Sequence, residues 1–363
     1  MNFQEAQAAW QADAPLFAER GVIMNGVQTY IPDAWKSNFD MAMDAQPSLS
    51  TDPNSGVPSL LTTMIDPTVI RALFAPTKAA EIFGEVKKGT WLDETALFPI
   101  VEHTGEMTSY GDNNEDGSTG VNMNWPARQS YLWQTVKQYG EREIERAGLG
   151  RINFISEVDL AAANNSNRFA NLTYLYGVSG MQTYGALNEP NLSASLTPVT
   201  KANGNGNVWM NGTAINASAN EVYQDIEALF AQLVAQTGGL VEATDEMTLA
   251  LSPTSAVALT ATNSYNVNVY DLLKKNFPGL RVVTCVQYGV KSSSNPNGVA
   301  GGSYAQLIAK TVDGQPVGYC AFNEKARQHP VIRGMSNFKQ KQTAGTWGFV
   351  LRQPVGIASI IGI

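Results

Sequence analysis

The sequence predicts an α+β protein organised around one stretch, residues 84–176, read as a long two-stranded arm feeding a long helix. Three observations carry this. The run GEVKKGTWLDETALFPIVEHTGEM leads out to the acidic, glycine-rich tip SYGDNNEDGSTG, and VNMNWPARQSYLWQTVKQYG leads back. On the return, Tyr131, Trp133, Thr135, Lys137 and Tyr139 alternate with Leu132, Gln134, Val136 and Gln138, the period of a strand. Beyond Glu141 the period changes: Ile155, Val158, Ala162, Phe169, Leu172 and Tyr176 share one helical face. An arm of this length cannot bury both faces against its own chain, so it requires a neighbour.

The bulk composition narrows the function classes. The chain has 363 residues, 44% hydrophobic and 15% charged, with a net charge of -8 and a pI near 4.9. That balance excludes an electrostatic nucleic-acid binder, which would carry a clustered basic face. Few charges are also what extensive subunit contact favours, because interface cores are depleted in them. Cys285 and Cys320 lie in two segments that both read as strands; they are expected to be small buried hydrophobes, a disulfide requiring those strands to be neighbours. No signal peptide is visible in MNFQEAQAAWQADAP, and no run approaches the ~18 apolar residues of a membrane span. The expectation is a soluble protein made in a cytoplasm.

Taken in order, residues 1–60 read as an arm. A short amphipathic helix carries Trp10, Leu16 and Phe17, and MDAQPSLSTDPNSGVPSL follows as an extended connection. Asp66-Pro67 caps the first of two short helices before Gly84. Pro99 and Pro126 cannot donate to a ladder, so the arm's strands should be edges or carry bulges. Gly148 and Gly150 interrupt the long helix, whose other face is rich in asparagine, at Asn164, Asn165, Asn167 and Asn171. Residues 177–217 read as loop, with a short hairpin in KANGNGNVWMNG. Ser218 and Glu221 form a capping box for a helix striped by Val222, Ile226, Leu229, Phe230, Leu233 and Val234, and Gly238-Gly239 stop it. Strand MTLAL, a helix begun by Ser252-Pro253, helix VYDLLKKNF and strand LRVVTCV follow. YAQLIAKTV and PVGYCAF should form a hairpin pinned by Asp313-Gly314. The last segment should give two or three strands around turns at Ala344-Gly345 and Gln353-Pro354.

No residue set points to catalysis, a cofactor or a metal. His103 and His329 have no metal-ligand spacing, and on an alternating strand Glu102 and His103 face opposite sides. GVSG at 177–180 is one residue short of a nucleophile elbow, and GNGN at 204–207 lacks a Rossmann context. Asp112, Asn114, Asp116 and Gly117 match the start of an EF-hand loop, but Met123 stands where a bidentate Glu is required. The tip therefore reads as a solvated acidic turn.

The order of elements, and stretches such as LLTTMIDPTVIRALFAPTKAAEIFGEVKKG, FPIVEHTGEMTSYGD, RQSYLWQTVKQYGEREIERAG, YNVNVYDLLKKNFPGLRV and FKQKQTAGTWG, resemble the major capsid proteins of tailed phages and prophages, of the Hong Kong 97 type. The resemblance runs from about Val57 to the C-terminal VGIASIIGI. It implies an N-terminal arm at 1–62, short helices at 63–85 and an E-loop at 86–140. It further implies a P domain with its spine helix at 141–184 together with 335–363, and an A domain at 185–334. The implied function is a non-enzymatic shell protein that self-assembles into hexamers and pentamers of an icosahedral or prolate head in the bacterial host cytoplasm. The implied partners are copies of itself, a portal, a scaffold or protease during assembly, and a decoration protein, with double-stranded DNA enclosed but not bound by sequence. On the arm, Trp91, Phe98, Trp125, Tyr131 and Trp133 are the expected contacts with a neighbouring subunit.

Two alternatives stand beside this one. An encapsulin-like compartment would share the fold, and an enzyme or sugar-binding domain is suggested by the Asn-, Tyr- and Trp-rich loops around 174–184. Some relatives lock the shell by an isopeptide bond from an E-loop lysine to a neighbour's asparagine. Here no lysine lies between Gly89 and Val136, only Lys87 and Lys88 at the arm's base. Assembled particles boiled in detergent should therefore run as monomers on a denaturing gel; a covalent ladder would overturn this reading.

Overall fold

A computed structural model describes residues 76–149 and 152–363. The expected N-terminal arm, the Asp66-Pro67 cap and Gly150 lie outside the described residues.

The first part of the chain runs α1 (Ala79–Phe83), β1 (Glu85–Lys87), β2 (Thr95–Leu97), β3 (Ile100–Glu106), β4 (Ser118–Asn124), β5 (Ala127–Gln129) and β6 (Tyr131–Gly140). Helices α2 (Glu141–Leu149) and α3 (Phe154–Tyr176) follow. The expected 141–176 helix is thus two helices, the second restarted by the Asn153 side chain, which accepts from Ser156 N–H at its N-terminus. Of the asparagines on α3, Asn171 is buried and its Oδ1 accepts the Ala79 N–H at 2.9 Å, while 164, 165 and 167 face solvent. That bond ties α1 to the long helix, and it explains one poor helix former in place.

The second part runs β7 (Met210–Asn211), β8 (Ala214–Ile215), α4 (Ala219–Gln236), β9 (Met247–Leu251), α5 (Pro253–Ala258), α6 (Val269–Asn276), β10 (Leu280–Thr284) and β11 (Tyr304–Ala309). Then come β12 (Thr311–Val312), β13 (Gln315–Pro316), β14 (Gly318–Arg333), β15 (Asn337–Leu351) and β16 (Ile357–Ile361). Helix α4 begins on the expected capping box, Ser218 and Glu221 each bonding the other's backbone. Its stripe of Val222, Ile226, Leu229 and Leu233 is fully buried in the main core. Helices α5 and α6 start on Ser252 and Asn268 side chains, as their short polar residues dictate.

Two four-stranded sheets organise the described residues. One has the order β10-β9-β11-β16, with β9 and β10 parallel across the α5–α6 crossover and β11 antiparallel to both its neighbours. The other has the order β1-β14-β15-β6. The main core joins the first sheet, α4 and the C-terminal half of α3 around Trp209, Tyr288, Leu175 and Phe349. A smaller cluster of Tyr319, Ala321, Trp347 and Val350 takes in Ala96 and Phe98 from the arm's base.

Long-range pairing overrides three local expectations. Strand β6 does not pair with the outgoing half of the arm; it pairs with β15 from Gly140↔Asn337 to Tyr131↔Thr346. Asp313 and Gly314 do turn the chain with positive φ, but the hairpin they close is two residues per side, because β11 and β14 belong to different sheets. Ala344-Gly345 is no turn at all but lies inside β15. Gly345 serves close approach instead: a Cβ there would sit 2.2 Å from the Asn323 Oδ1 and 2.4 Å from the Leu132 side chain. The terminal strands also divide, β15 joining the second sheet and β16 the first. The 334/335 boundary falls within the turn of the β14–β15 pair.

Buried charge is handled by closed networks. The Asp225 carboxylate on α4 accepts from Lys201 Nζ at 2.5 Å and from the Trp209 indole at 2.6 Å, all three residues being buried. Removing one member of such a set leaves the other charge without compensation. Asp225→Ala should therefore lower stability by about 3–5 kcal/mol in chemical denaturation; a loss below about 1 kcal/mol would show that Lys201 finds water instead.

Candidate assembly surfaces

The arm is clamped at its root and free beyond it. At the root, β2 pairs with β5 through Thr95↔Gln129 to Leu97↔Ala127, and the Ser130 N–H donates to Glu94 O at 2.8 Å. Arg128, on β5, points inward: one guanidinium nitrogen reaches both Glu189 oxygens at 2.9 Å, and the group stacks 4.8 Å from the Tyr184 ring. Both charged side chains are almost fully buried. Burial lifts the Glu189 carboxyl above its usual range, against the pull of the Arg128 guanidinium. Thr183 Oγ1 donates to Gln129 O at 2.6 Å, and Asn323 Nδ2 to Ser130 Oγ at 2.8 Å. Four residues in a row, 127–130, are thus fixed by loops and strands distant in sequence.

Past Pro99 the chain leaves the body as the ribbon β3–β4, and every residue of both seven-residue strands is exposed. Its register runs from Ile100↔Asn124 to Glu106↔Ser118. Because opposed residues share a face, Val101, Met123, His103, Val121, Gly105 and Thr119 line one side. Glu102, Asn122, Thr104, Glu106, Ser118, Ile100 and Asn124 line the other. The ribbon is amphipathic, and its apolar side has no partner among the described residues. At the tip, Asn114 Nδ2 donates to Ser109 O, its Oδ1 accepts the Asp116 N–H, and Tyr110 OH donates to Asp112. The Asp112 and Asn114 side chains, two of those matched to a calcium loop, are thus engaged in building the turn. Between Gly89 and Ala127 there are seven carboxylates and no lysine or arginine.

The five aromatic residues expected to touch a neighbour are not equivalent. Trp125, at the ribbon's foot, is 53% exposed. Tyr131 and Trp133 stack on Phe169 of α3 with ring centroids 5.9 and 5.0 Å apart, and the Trp133 indole donates to Ser166 Oγ at 3.2 Å. Trp91 lies under Arg327, 4.9 Å from its ring, and beside His329. Phe98 packs on the smaller core cluster. Four of the five therefore hold the arm's base to its own chain, each only half-buried.

Sequence reading missed the apolar face of Val101, Val121 and Met123, since their common side emerges only from the strand register. It also missed Arg128–Glu189, which no local spacing announces. The two thiols are free and buried; burial pushes Cys285 up to about 11 and raises Cys320 as well, so neither is a reactive nucleophile.

The family model described as the Pa193 gp26 major capsid protein matches residues 48–362. In structure, the chain is similar to the capsid of Myoviridae phage XM1 with a TM-score of 0.67 at 15% identity, over 85% of this chain and 100% of that one. It is similar to a chain from Mycobacterium phage Ogopogo with a TM-score of 0.56 at 9% identity, over 85% and 100%. The capsid of a native GTA particle matches with a TM-score of 0.54 at 10% identity, over 87% and 99%. No curated protein sequence matches. At these identities the structural likeness establishes a shared fold.

The clamp yields a direct expectation. Arg128→Ala leaves the Glu189 carboxylate buried and alone, so stability should fall by about 3–5 kcal/mol. Hydrogen exchange should quicken first at the amides of residues 127–130. Unchanged exchange there would show that the ladder alone holds the root.

Proposed function

Since the chain belongs to the Pa193 gp26 major capsid protein family and is a phage major capsid protein, we propose that it builds its head from hexamers and pentamers in which the ribbon of each copy brackets the next. On this reading the fold is of the Hong Kong 97 type. Residues 86–140 are the E-loop, α3 is the spine helix of the P domain, and the sheet β10-β9-β11-β16 with its helices is the heart of the A domain. The role is structural rather than enzymatic.

The single observation that carries the proposal is the ribbon. A two-stranded sheet with one apolar side is marginal alone in water, yet every residue of β3–β4 stands exposed on its own chain. A second copy is the simplest cover. Stable assembly contacts bury on the order of 1,600 Å² in total, and a heterologous contact repeated around a ring supplies that area at each step. Trp125 and the exposed edges of Trp91, Phe98, Tyr131 and Trp133 join this contact at the ribbon's foot. The acidic subunit encloses double-stranded DNA without gripping it, because phosphate binding demands clustered cations. Portal, scaffold or protease, and a decoration protein complete the head during assembly in the host cytoplasm.

Electron microscopy of the purified chain at high concentration should show rings, shells or tubes; a persistent monomer would refute the proposal. Deleting 111–120 should leave circular dichroism and the melting midpoint unchanged, because the root bonds lie elsewhere, while particle yield collapses. If the deletion unfolds the monomer, the ribbon is part of the core and not a bracket.

A further inference from the structure

The loop before α4 carries a chemistry that assembly does not use. The run ANGNGNVWMNG holds three Asn-Gly pairs, at 203–204, 205–206 and 211–212, and a fourth stands at 297–298. A fifth, Asn25-Gly26, lies outside the described residues. Asparagine before glycine is labile, because no Cβ hinders the next backbone nitrogen from reaching the asparagine side chain. That nitrogen attacks Cγ, a succinimide ring closes and ammonia leaves. Water, the only co-reactant, then opens the ring at either carbonyl to give aspartate or isoaspartate. Ring closure requires an unbonded Gly N–H, a free Asn side chain and a peptide between them that can turn.

The fold treats the four pairs differently. Gly204 N–H donates to Lys201 O at 3.1 Å, and Asn203 Nδ2 donates to Asn216 O at 2.6 Å, so both reacting groups are tied. Gly298 N–H donates to Asn295 O at 3.1 Å, and the Tyr176 hydroxyl donates to Asn297 O at 2.6 Å, which fixes the peptide between Asn297 and Gly298. Asn211 ends β7 and pairs with Ala214, so ring closure there would pull a residue out of its ladder. Asn205 is exposed in a bend, and neither its side chain nor the Gly206 N–H has a hydrogen bond among the described residues. Gly206 has a φ of +82°, and nothing lies within 4 Å of where a Cβ would stand, so water reaches this peptide freely. Each bond that must break first slows ring closure roughly fivefold.

We propose that Asn205 is a self-modification site, which in the folded chain converts to aspartate and isoaspartate through Gly206 ahead of the other described Asn-Gly pairs. This goes beyond the structural role above and does not depend on it. The consequence is local. Lys201 N–H donates to Gly206 O at 2.9 Å, closing the turn from which the buried Lys201 side chain reaches Asp225. Isoaspartate adds a methylene to the backbone inside that turn, and either product adds one negative charge. An ageing chain therefore gains charge and loosens at this loop.

The test keeps the full folded chain in warm, mildly alkaline heavy-oxygen water, so that only conversions made during incubation carry the label. Fragment-ion mass spectrometry should find labelled acid at 205 about tenfold ahead of 203 and 297, with 211 also behind. In denaturant the four positions should convert at like rates. Asn205→Gln, at an exposed and unbonded position, should melt like the parent, lose the leading conversion and leave the others at the parent's pace. The Lys201 amide should exchange hydrogen faster in the aged parent than in this variant aged alongside it. A folded chain in which 203, 211 or 297 leads would overturn the proposal. The same order and ratios in denaturant would overturn it too, by assigning the preference to sequence rather than fold. Equal Lys201 exchange in the two aged chains would overturn the loosened turn.

Discussion

The pairing of β15 with β6 on one side and β14 on the other is the constraint on which the rest depends. It joins residues 131–140 to residues 337–346, so the sheet closes only after nearly the whole chain is present. Once closed, it gives α3 a surface to lie on and brings Asn323 to Ser130. It also sets the arm's root in a fixed direction. The ribbon can project as a rigid lever because its foot is held by backbone ladders on β2–β5 and β6–β15, not by its own tip. Gly345 shows how tightly this is made, with no room for a Cβ between Asn323 and Leu132.

Around that sheet, polar groups are buried only where they are answered. Arg128 and Glu189 lock the root to the loop after α3. The Tyr174 hydroxyl donates to Glu85, which in turn meets Lys325. Lys201, Asp225 and Trp209 close the region before α4. Each pair adds little net free energy over an apolar replacement of the same shape. What each contributes is specificity, since any other packing would strand a charge. A subunit that must present the same surfaces many times over benefits from such unique packing. The exposed surfaces follow the opposite logic: Val101, Val121 and Met123 on the ribbon and Leu132, Val136 and Ile332 on the sheet stay exposed.

Much of the secondary structure was legible because its signals are local. Ser218 and Glu221, Ser252-Pro253 and the Gly238-Gly239 stop all act within one helical turn. Strand MTLAL was legible from its short, largely apolar run, the mark of burial on both sides. The arm was legible as an arm, but not the division between its free ribbon and its clamped base. Tyr131 and Trp133 looked like anchors for a neighbour because alternation says which side chains go together and nothing about what they meet. Ala344-Gly345 looked like a turn because glycine has two uses, conformational freedom and close approach, and only the neighbouring strand tells them apart.

By itself, the sequence determined the order and kind of the elements, the acidic character of the arm and the absence of cations along it, and a resemblance specific enough to identify a shell protein. Those properties reside in short windows of chain, in composition and in long shared stretches. The tertiary structure alone decided which strand lies beside which, hence which faces are covered and which remain open. Strand alternation is indifferent to its partner, and the entropy of closing a loop of some two hundred residues differs little from that of closing a shorter one. Pairing is therefore chosen by how all the faces fit at once, and Val101, Val121 and Met123 become a surface only when β3 and β4 settle into register.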